Sequence, residues 1–287
     1  MSGVKKRHSK IDPKRLTSTL ATYFVLAVAV AVAIYPVLRI VTISLRPGDR
    51  LLSTSLDIIP DDATLSNYSE LLTKTPFLRW LLNSTIVALV VTVTGVALAS
   101  TTGYALSRFR FKGKGSMLSG LLVTQMFPAT MLLLPLYMVL IRLHLINSYI
   151  GIIVIYSATA LPFTIWQMKG YYDTIPNALE EAARIDGCGP WQTFYKVIFP
   201  LAAPALVITA LFSFMTAWNE YVVANVVLQD TQMFTLPLGL KMFQSKLSTE
   251  WGMYAAGSLL VSIPVVALFL MLSRYLISGL TLGSVKG

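Results

Sequence analysis

Six stretches of this chain contain no Asp, Glu, Lys, Arg or His. They are residues 16–38, 80–107, 115–141, 145–168, 197–219 and 251–273, with lengths of 23, 28, 27, 24, 23 and 23. The next longest such stretch, residues 275–285, has only 11. A bilayer's hydrocarbon core is about 30 Å thick, and a helix crosses it in roughly 20 apolar residues. A backbone in lipid must satisfy its own hydrogen bonds, so each run predicts a helix. The step in length from 23 to 11 predicts an all-α, polytopic membrane protein with six transmembrane helices. With their flanks these helices cover residues 16–45, 79–107, 115–142, 145–169, 198–228 and 251–277. Composition agrees: 13% of the residues are charged and 55% hydrophobic, whereas a soluble domain has about 25% charged residues.

The net charge of +10 is compatible with nucleic-acid binding, but the tendency of cytoplasmic loops to collect Lys and Arg explains it more simply. With the N-terminus in the cytoplasm, 15 Lys and Arg fall on the inner side and 7 on the outer. Both termini are therefore expected inside. The basic tail 1–15, the loop after the second helix and the segment 177–198 are placed there too, with outer loops at 46–78 and 229–250. The first apolar run follows a basic head, as in a signal peptide. It is too long for one and lacks a cleavage site, so it is expected to remain as the first helix of a permease domain spanning 16–287. The one cysteine, Cys188, excludes an intrachain disulfide. Arg108-Phe109-Arg110-Phe111-Lys112-Gly113-Lys114 alternates cations with aromatics and is expected at lipid headgroup level. Pro36, Pro128, Pro135, Pro162, Pro204 and Pro264 fall within the predicted helices, and kinks there are expected to shape a cavity.

Several chemistries are missing. No Gly-x-x-x-x-Gly-Lys-Ser/Thr loop is present to cradle a nucleotide, and no His-Glu-x-x-His to hold zinc. With only His8 and His144, neither a metal site nor a histidine triad is expected. The one carboxylate at membrane depth is Glu220. An ionisable group there is costly and points to function; it lines a substrate path, relays protons, or else faces water near the helix end or bonds a neighbouring helix. A carrier driven by an ion gradient would want several such groups.

The segment 177–200 is out of character for so apolar a chain. Asn177 is placed to cap a helix, with Glu180 completing the capping pattern and both Glu180 and Glu181 favoured by the helix dipole. Leu179, Ala182 and Ala183 share a face at helical spacing. Asp186-Gly187 ends the helix, and Pro190 suits the first turn of another, whose apolar stripe is Trp191, Phe194, Tyr195 and Ile198. Physics leaves two readings open: a helix lying in the headgroups, or a docking element for a soluble protein.

Glu181-Ala182-Ala183, then three residues, Gly187, nine residues and Val197-Ile198-Phe199-Pro200 resembles the EAA motif of ABC-importer permeases. Val197 and Phe199 stand where the family pattern has Ile and Leu. Ile43-Ser44-Leu45-Arg46, Tyr104-Ala105-Leu106-Ser107-Arg108-Phe109-Arg110-Phe111, Gln125-Met126-Phe127-Pro128, Trp218-Asn219-Glu220 and the ending Gly279-Leu280-Thr281-Leu282-Gly283-Ser284-Val285-Lys286-Gly287 extend the likeness along nearly the whole chain. They resemble the carbohydrate-uptake branch of the maltose/maltodextrin type, in its smaller permease subunit.

That resemblance implies a multi-pass protein of a prokaryotic plasma (inner) membrane, with the type I importer fold. It implies a second, homologous permease subunit, two copies of a cytoplasmic ATPase, an extracytoplasmic sugar-binding protein, a carbohydrate substrate and surrounding lipid, without nucleic acid. The chain itself would be no enzyme and hold no cofactor, since ATP and magnesium belong to the partner ATPase. Glu180, Glu181, Ala182, Ala183, Asp186 and Gly187 would couple to that ATPase, and Ser284, Val285, Lys286 and Gly287 would touch it. Gln125, Met126, Phe127, Trp218, Asn219 and Glu220 would line the translocation path. Pro237, Leu238, Gly239 and Lys241 would meet the binding protein. Maltose, maltodextrin, trehalose and other small carbohydrates all remain open as cargo.

Overall fold

The computed structural model describes residues 13–47, 59–244 and 249–282. Among them the chain is helical, with no strand beyond an isolated bridge between Gln244 and Thr249. Helices α1 (Pro13–Ser44), α3 (Phe77–Arg108), α6 (Tyr149–Thr174) and α13 (Trp251–Leu282) contain spans long and apolar enough to cross a membrane. The short α2 (Ser66–Lys74) lies between the first two.

Two predicted spans are interrupted. The run 115–142 forms α4 (Lys114–Met126) and α5 (Ala129–Arg142), inclined by 106° to each other. Pro128 sits at the joint as the residue before α5, where its missing N–H costs no intrahelical bond. The predicted helix 198–228 starts late, as α10 (Ala203–Asn219), and resumes after a break as α11 (Val222–Val227). Pro128 and Pro204 thus start helices and are not kinks inside them, whereas Pro36, Pro135, Pro162 and Pro264 are helix-internal. The helical segment Pro190–Leu201 meets α10 at 79°, and counting it with α10, and α4 with α5, as one span each gives six among the described residues.

Helices α3, α6 and α10 form the packed centre. Small residues let them approach: a Cβ on Gly95 would lie 2.6 Å from Ser213 Oγ, and one on Gly103 2.8 Å from Met168 Cβ. Close approach of this kind drives helix association where lipid removes the hydrophobic incentive. The buried residues divide into two clusters along α3. One gathers Phe77, Trp80, Val87, Tyr156 and Trp218, and the other Tyr104, Met168, Tyr172, Phe194 and Ile198. Ser84 and Tyr104 are twenty residues apart on this helix, about 30 Å at 1.5 Å per residue. Helix α1 leaves its apolar faces open. Its end is fastened to α2, where Asn67 Nδ2 donates to the carbonyls of Ser44 and Arg46 at 2.9 and 2.8 Å.

Candidate functional site

The segment after α6 forms α7 (Ala178–Ile185), α8 (Pro190–Thr193), a π-helical turn (Phe194–Ile198) and α9 (Phe199–Leu201). Helix α7 ends in a Schellman motif: Cys188 N–H bonds to Ala183 O at 2.9 Å and Gly187 N–H to Arg184 O at 3.0 Å. Gly187 has φ +83°, a left-handed conformation that a residue with a Cβ resists. Gly189 precedes α8 and its N–H is taken by Gln192 Oε1 at 3.0 Å. Phe199 N–H reaches back to Phe194 O. That extra residue in the turn lies next to Pro200, which has no N–H to offer the ladder.

At the start of α7 the structure departs from the expected cap. Asn177 makes no side-chain cap bond. Glu180 does not complete a box, because it turns into the bundle and is 4% exposed. Its Oε1 accepts from Arg108 Nε at 2.5 Å and its Oε2 from Tyr104 Oη at 3.0 Å, with Arg184 Nη2 4.0 Å away. Arg108 spends a second nitrogen on Ile175 O at 2.8 Å. The guanidinium and carboxylate are 10% and 5% exposed, so this is a buried ion pair with its remaining valences hydrogen-bonded. It ties α7 to the last turn of α3. Beside it, Ser107 and Lys169 both bond Asp173.

The six predicted coupling residues therefore divide. Glu180 and Ala183 face the bundle, while Glu181, Ala182, Asp186 and Gly187 are exposed together with Leu179 and Ile185. Ile185, at 87% exposure, is an apolar residue presented outward. In the following turn Phe194 and Ile198 are buried as expected, but Trp191 and Tyr195 are 67% and 51% exposed. The buried stripe is Thr193, Phe194 and Ile198 instead, since the π turn shifts the helical register. Trp191 walls one side of an apolar cleft of ≈310 Å³ shared with Tyr104, Phe109 and Phe194.

The other end of α3 is also a clamp. Trp80 Nε1 donates to Thr231 O at 2.8 Å, Asn83 Nδ2 to the carbonyls of Gln232 and Phe234 at 2.9 Å each, and Ser84 Oγ accepts from Leu236 N–H at 2.7 Å. These bonds fold the segment after α11 back onto the bundle, where it forms a 3₁₀ turn (Thr231–Met233) and α12 (Leu236–Lys241). Leu236, Leu238 and Leu240 are buried, and a Cβ on Gly239 would meet Trp80 Cε3 at 2.2 Å. Of the four residues expected to meet a binding protein, Leu238 and Gly239 are thus in the core and Lys241 is exposed, with Pro237 between. The expected outer loop 229–250 thus contains a short helix, with Pro237 in its first turn.

The predicted path residues do not form one lining. Gln125, Met126 and Phe127 are exposed at the α4–α5 joint. Gln125 Nε2 lies 3.4 Å from Thr159 O, beside a cleft of ≈290 Å³ that includes Phe127 and Pro162. Trp218 is 1% exposed, stacked on Phe214 at 5.2 Å, and belongs to the core. Glu220 turns back on its own chain: its carboxylate accepts from Val223 N–H at 2.8 Å and Ala224 N–H at 3.1 Å, capping α11. Asn219 lines a separate cleft of ≈410 Å³ with Pro237 and Lys241. Ser284, Val285, Lys286 and Gly287 lie outside the described residues.

Residues 92–280 match the family described as binding-protein-dependent transport system inner membrane component. The chain is 36% identical to a maltose/maltodextrin transport system permease protein, MalG, of Yersinia pestis, covering 93% of each. It is 35% identical to the protein of the same name in Escherichia coli K12, over 96% of this chain and 99% of that one. The fold matches, at a TM-score of 0.79 and 24% identity, a chain in the crystal structure of a bacterial ABC transporter involved in the import of the acidic polysaccharide alginate. That match covers 96% of this chain and 100% of the other.

Proposed function

The chain belongs to the binding-protein-dependent transport system inner membrane components, and from that premise we propose that it carries a maltodextrin-type oligosaccharide through a pore shared with a second permease. It is a multi-pass plasma-membrane protein and a permease subunit of an ABC sugar importer. Trehalose and other small carbohydrates are the alternative cargo. ATP and magnesium are bound by a separate cytoplasmic ATPase present in two copies, and an extracytoplasmic binding protein delivers the sugar.

In this reading the α7 end faces the cytoplasm. The outward face of α7, with Leu179, Glu181, Ala182 and Ile185, seats in a cleft of one ATPase subunit. Small Ala182 admits close approach, and Glu181 offers a carboxylate near a helix N-terminus. When the ATPases close on ATP, α7 moves as a rigid body and carries α3 with it through Glu180 and Arg108. The cavity between the two permeases then changes from inward-facing to outward-facing, so sugar passes by alternating access. The observation supporting this is the division of α7 into a buried ionic face and an open face of small and apolar residues.

Gly187→Pro tests it in the complete importer reconstituted in vesicles. Proline cannot adopt φ +83° and has no N–H for Arg184 O, so α7 should lose its angle. ATP hydrolysis should continue while most ATP-driven maltotriose uptake is lost. Normal uptake by the variant would overturn the coupling role.

A further inference from the structure

Two residues expected to serve different roles, Asn219 of the path and Lys241 of the binding-protein contact, line a single cleft of ≈410 Å³. Tyr221, Pro237, Leu240, Gln244, Tyr254, Ser258 and Val261 complete it. We propose that this cleft is a subsite for a neutral oligosaccharide on this subunit, an inference that rests on the importer reading above.

The cleft is built and is not a gap between loops. One wall is the break between α10 and α11, which leaves Glu220 and Tyr221 on irregular backbone and puts Asn219 at the end of α10. At membrane depth such backbone is tolerated where it is buried in protein or lines a cavity. Glu220 stabilises the break by capping Val223 and Ala224, and it is not among the lining residues. The second wall is α12, fixed by three buried leucines and by the Trp80–Gly239 contact. The third is α13, where Tyr254, Ser258 and Val261 at spacings of four and three residues share a face.

The lining chemistry selects the ligand. A pyranose has flat C–H faces and a rim of hydroxyls that both donate and accept. Tyr221 and Tyr254 offer broad apolar rings with polar tips. The amides of Asn219 and Gln244 offer donors and acceptors in one group, and the Ser258 hydroxyl, which donates to Tyr254 O at 2.7 Å, still accepts. Among the described residues no carboxylate lines the cleft. The cation among its described lining residues, Lys241, donates to Gln244 Oε1 at 2.6 Å. A volume of ≈410 Å³ falls within the range of small-molecule pockets, about 300–1,000 Å³. Neutral polar groups around aromatic faces suit an uncharged sugar better than an ion or an apolar drug.

The test uses the complete importer, with Cys188→Ser removing the natural thiol and Ser258→Cys placing one in the lining. The rate at which a charged methanethiosulfonate modifies Cys at 258 is measured without binding protein, against rising maltotriose. The expected result is protection following 1 + [L]/Kd, about threefold at twice the dissociation constant. Mannitol should give none, and neither should an exposed control outside the lining, Met242→Cys. Tyr254→Ala added to Ser258→Cys should abolish protection, and Tyr254→Phe should keep it. Unprotected thiol up to the highest maltotriose used overturns the subsite, as does equal protection of Met242→Cys. Protection by oligouronates alone overturns its neutral character. A parallel uptake assay separates the two readings: an importer that moves maltotriose with ATP but shows no protection loses only the subsite, whereas one that moves no sugar loses both.

Discussion

The two ends of α3 perform the same task with different forces. At the α7 end a helix is held by a buried ion pair and a phenol, Arg108–Glu180–Tyr104. At the α12 end a helix is held by neutral hydrogen bonds and by Gly239 lying flat against Trp80. Coulomb attraction falls off as 1/r and survives a small displacement. Close packing forfeits about a quarter to a half of its attraction over a gap of about 0.5–1 Å. The ionic end can therefore pass on a rotation while remaining attached, and the packed end keeps its shape. An element meant to receive movement and an element meant to form a fixed wall would differ in this way.

Breaking the ionic end should have the largest effect. Removing one partner of a buried pair leaves an uncompensated charge and costs about 3–5 kcal/mol. Arg108→Met alone should lower the thermal midpoint of the purified importer and abolish uptake, and Glu180→Gln should act in the same direction. The double variant Arg108→Met/Glu180→Met replaces the pair with apolar bulk. It should recover most of the thermal stability yet remain poorly coupled, read as sugar moved per ATP hydrolysed. With Glu180→Met as the matching single variant, a double-mutant cycle isolates the pair. If Arg108→Met leaves both midpoint and uptake unchanged, α7 is not held through this pair.

The packed end should respond next, and differently. A side chain at 239 meets Trp80, with even a Cβ at 2.2 Å, and overpacking costs about 1–3 kcal/mol. Gly239→Leu should lower the thermal midpoint. Trp80→Phe in the same chain should return part of it by making room. The sugar moved per ATP should change less than in Arg108→Met. A Gly239→Leu importer with an unchanged midpoint would show that α12 is loosely held and would remove the contrast between the ends.

The spans were legible because charge is forbidden in lipid over whole helices, a signal that no local detail can hide. The turn at Gly187 was legible for a similar reason, since a glycine after a run of helix formers predicts a left-handed stop. What the sequence hid was direction. Glu180 and Glu181 are adjacent and chemically alike, and only distant partners on α3, Tyr104 and Arg108, decide which of them turns inward. Leu238 and Gly239 looked like loop, because their burial depends on Trp80 across the fold. The π turn at 194–198 could have been suspected from Pro200, whose missing donor interrupts the ladder, and it moved Trp191 and Tyr195 off the buried stripe. The break at Glu220 had no periodic signal at all, since the apolar run before it simply ends.

That break supplies the smallest of the expected effects and separates its two readings. As a cap, Glu220 is needed for its oxygens, which accept two backbone N–H groups. Losing a helix cap costs about 0.5–2 kcal/mol. Glu220→Ala should therefore lower the thermal midpoint modestly and loosen the wall that holds Asn219 and Tyr221. Glu220→Gln retains one accepting oxygen and loses the other with the charge, so its midpoint should fall less than that of Glu220→Ala and its maltotriose uptake should stay near that of the parent. If Glu220→Gln keeps its midpoint but loses uptake, the charge itself acts on the translocation path, and the cap is not the reason this carboxylate sits at the break.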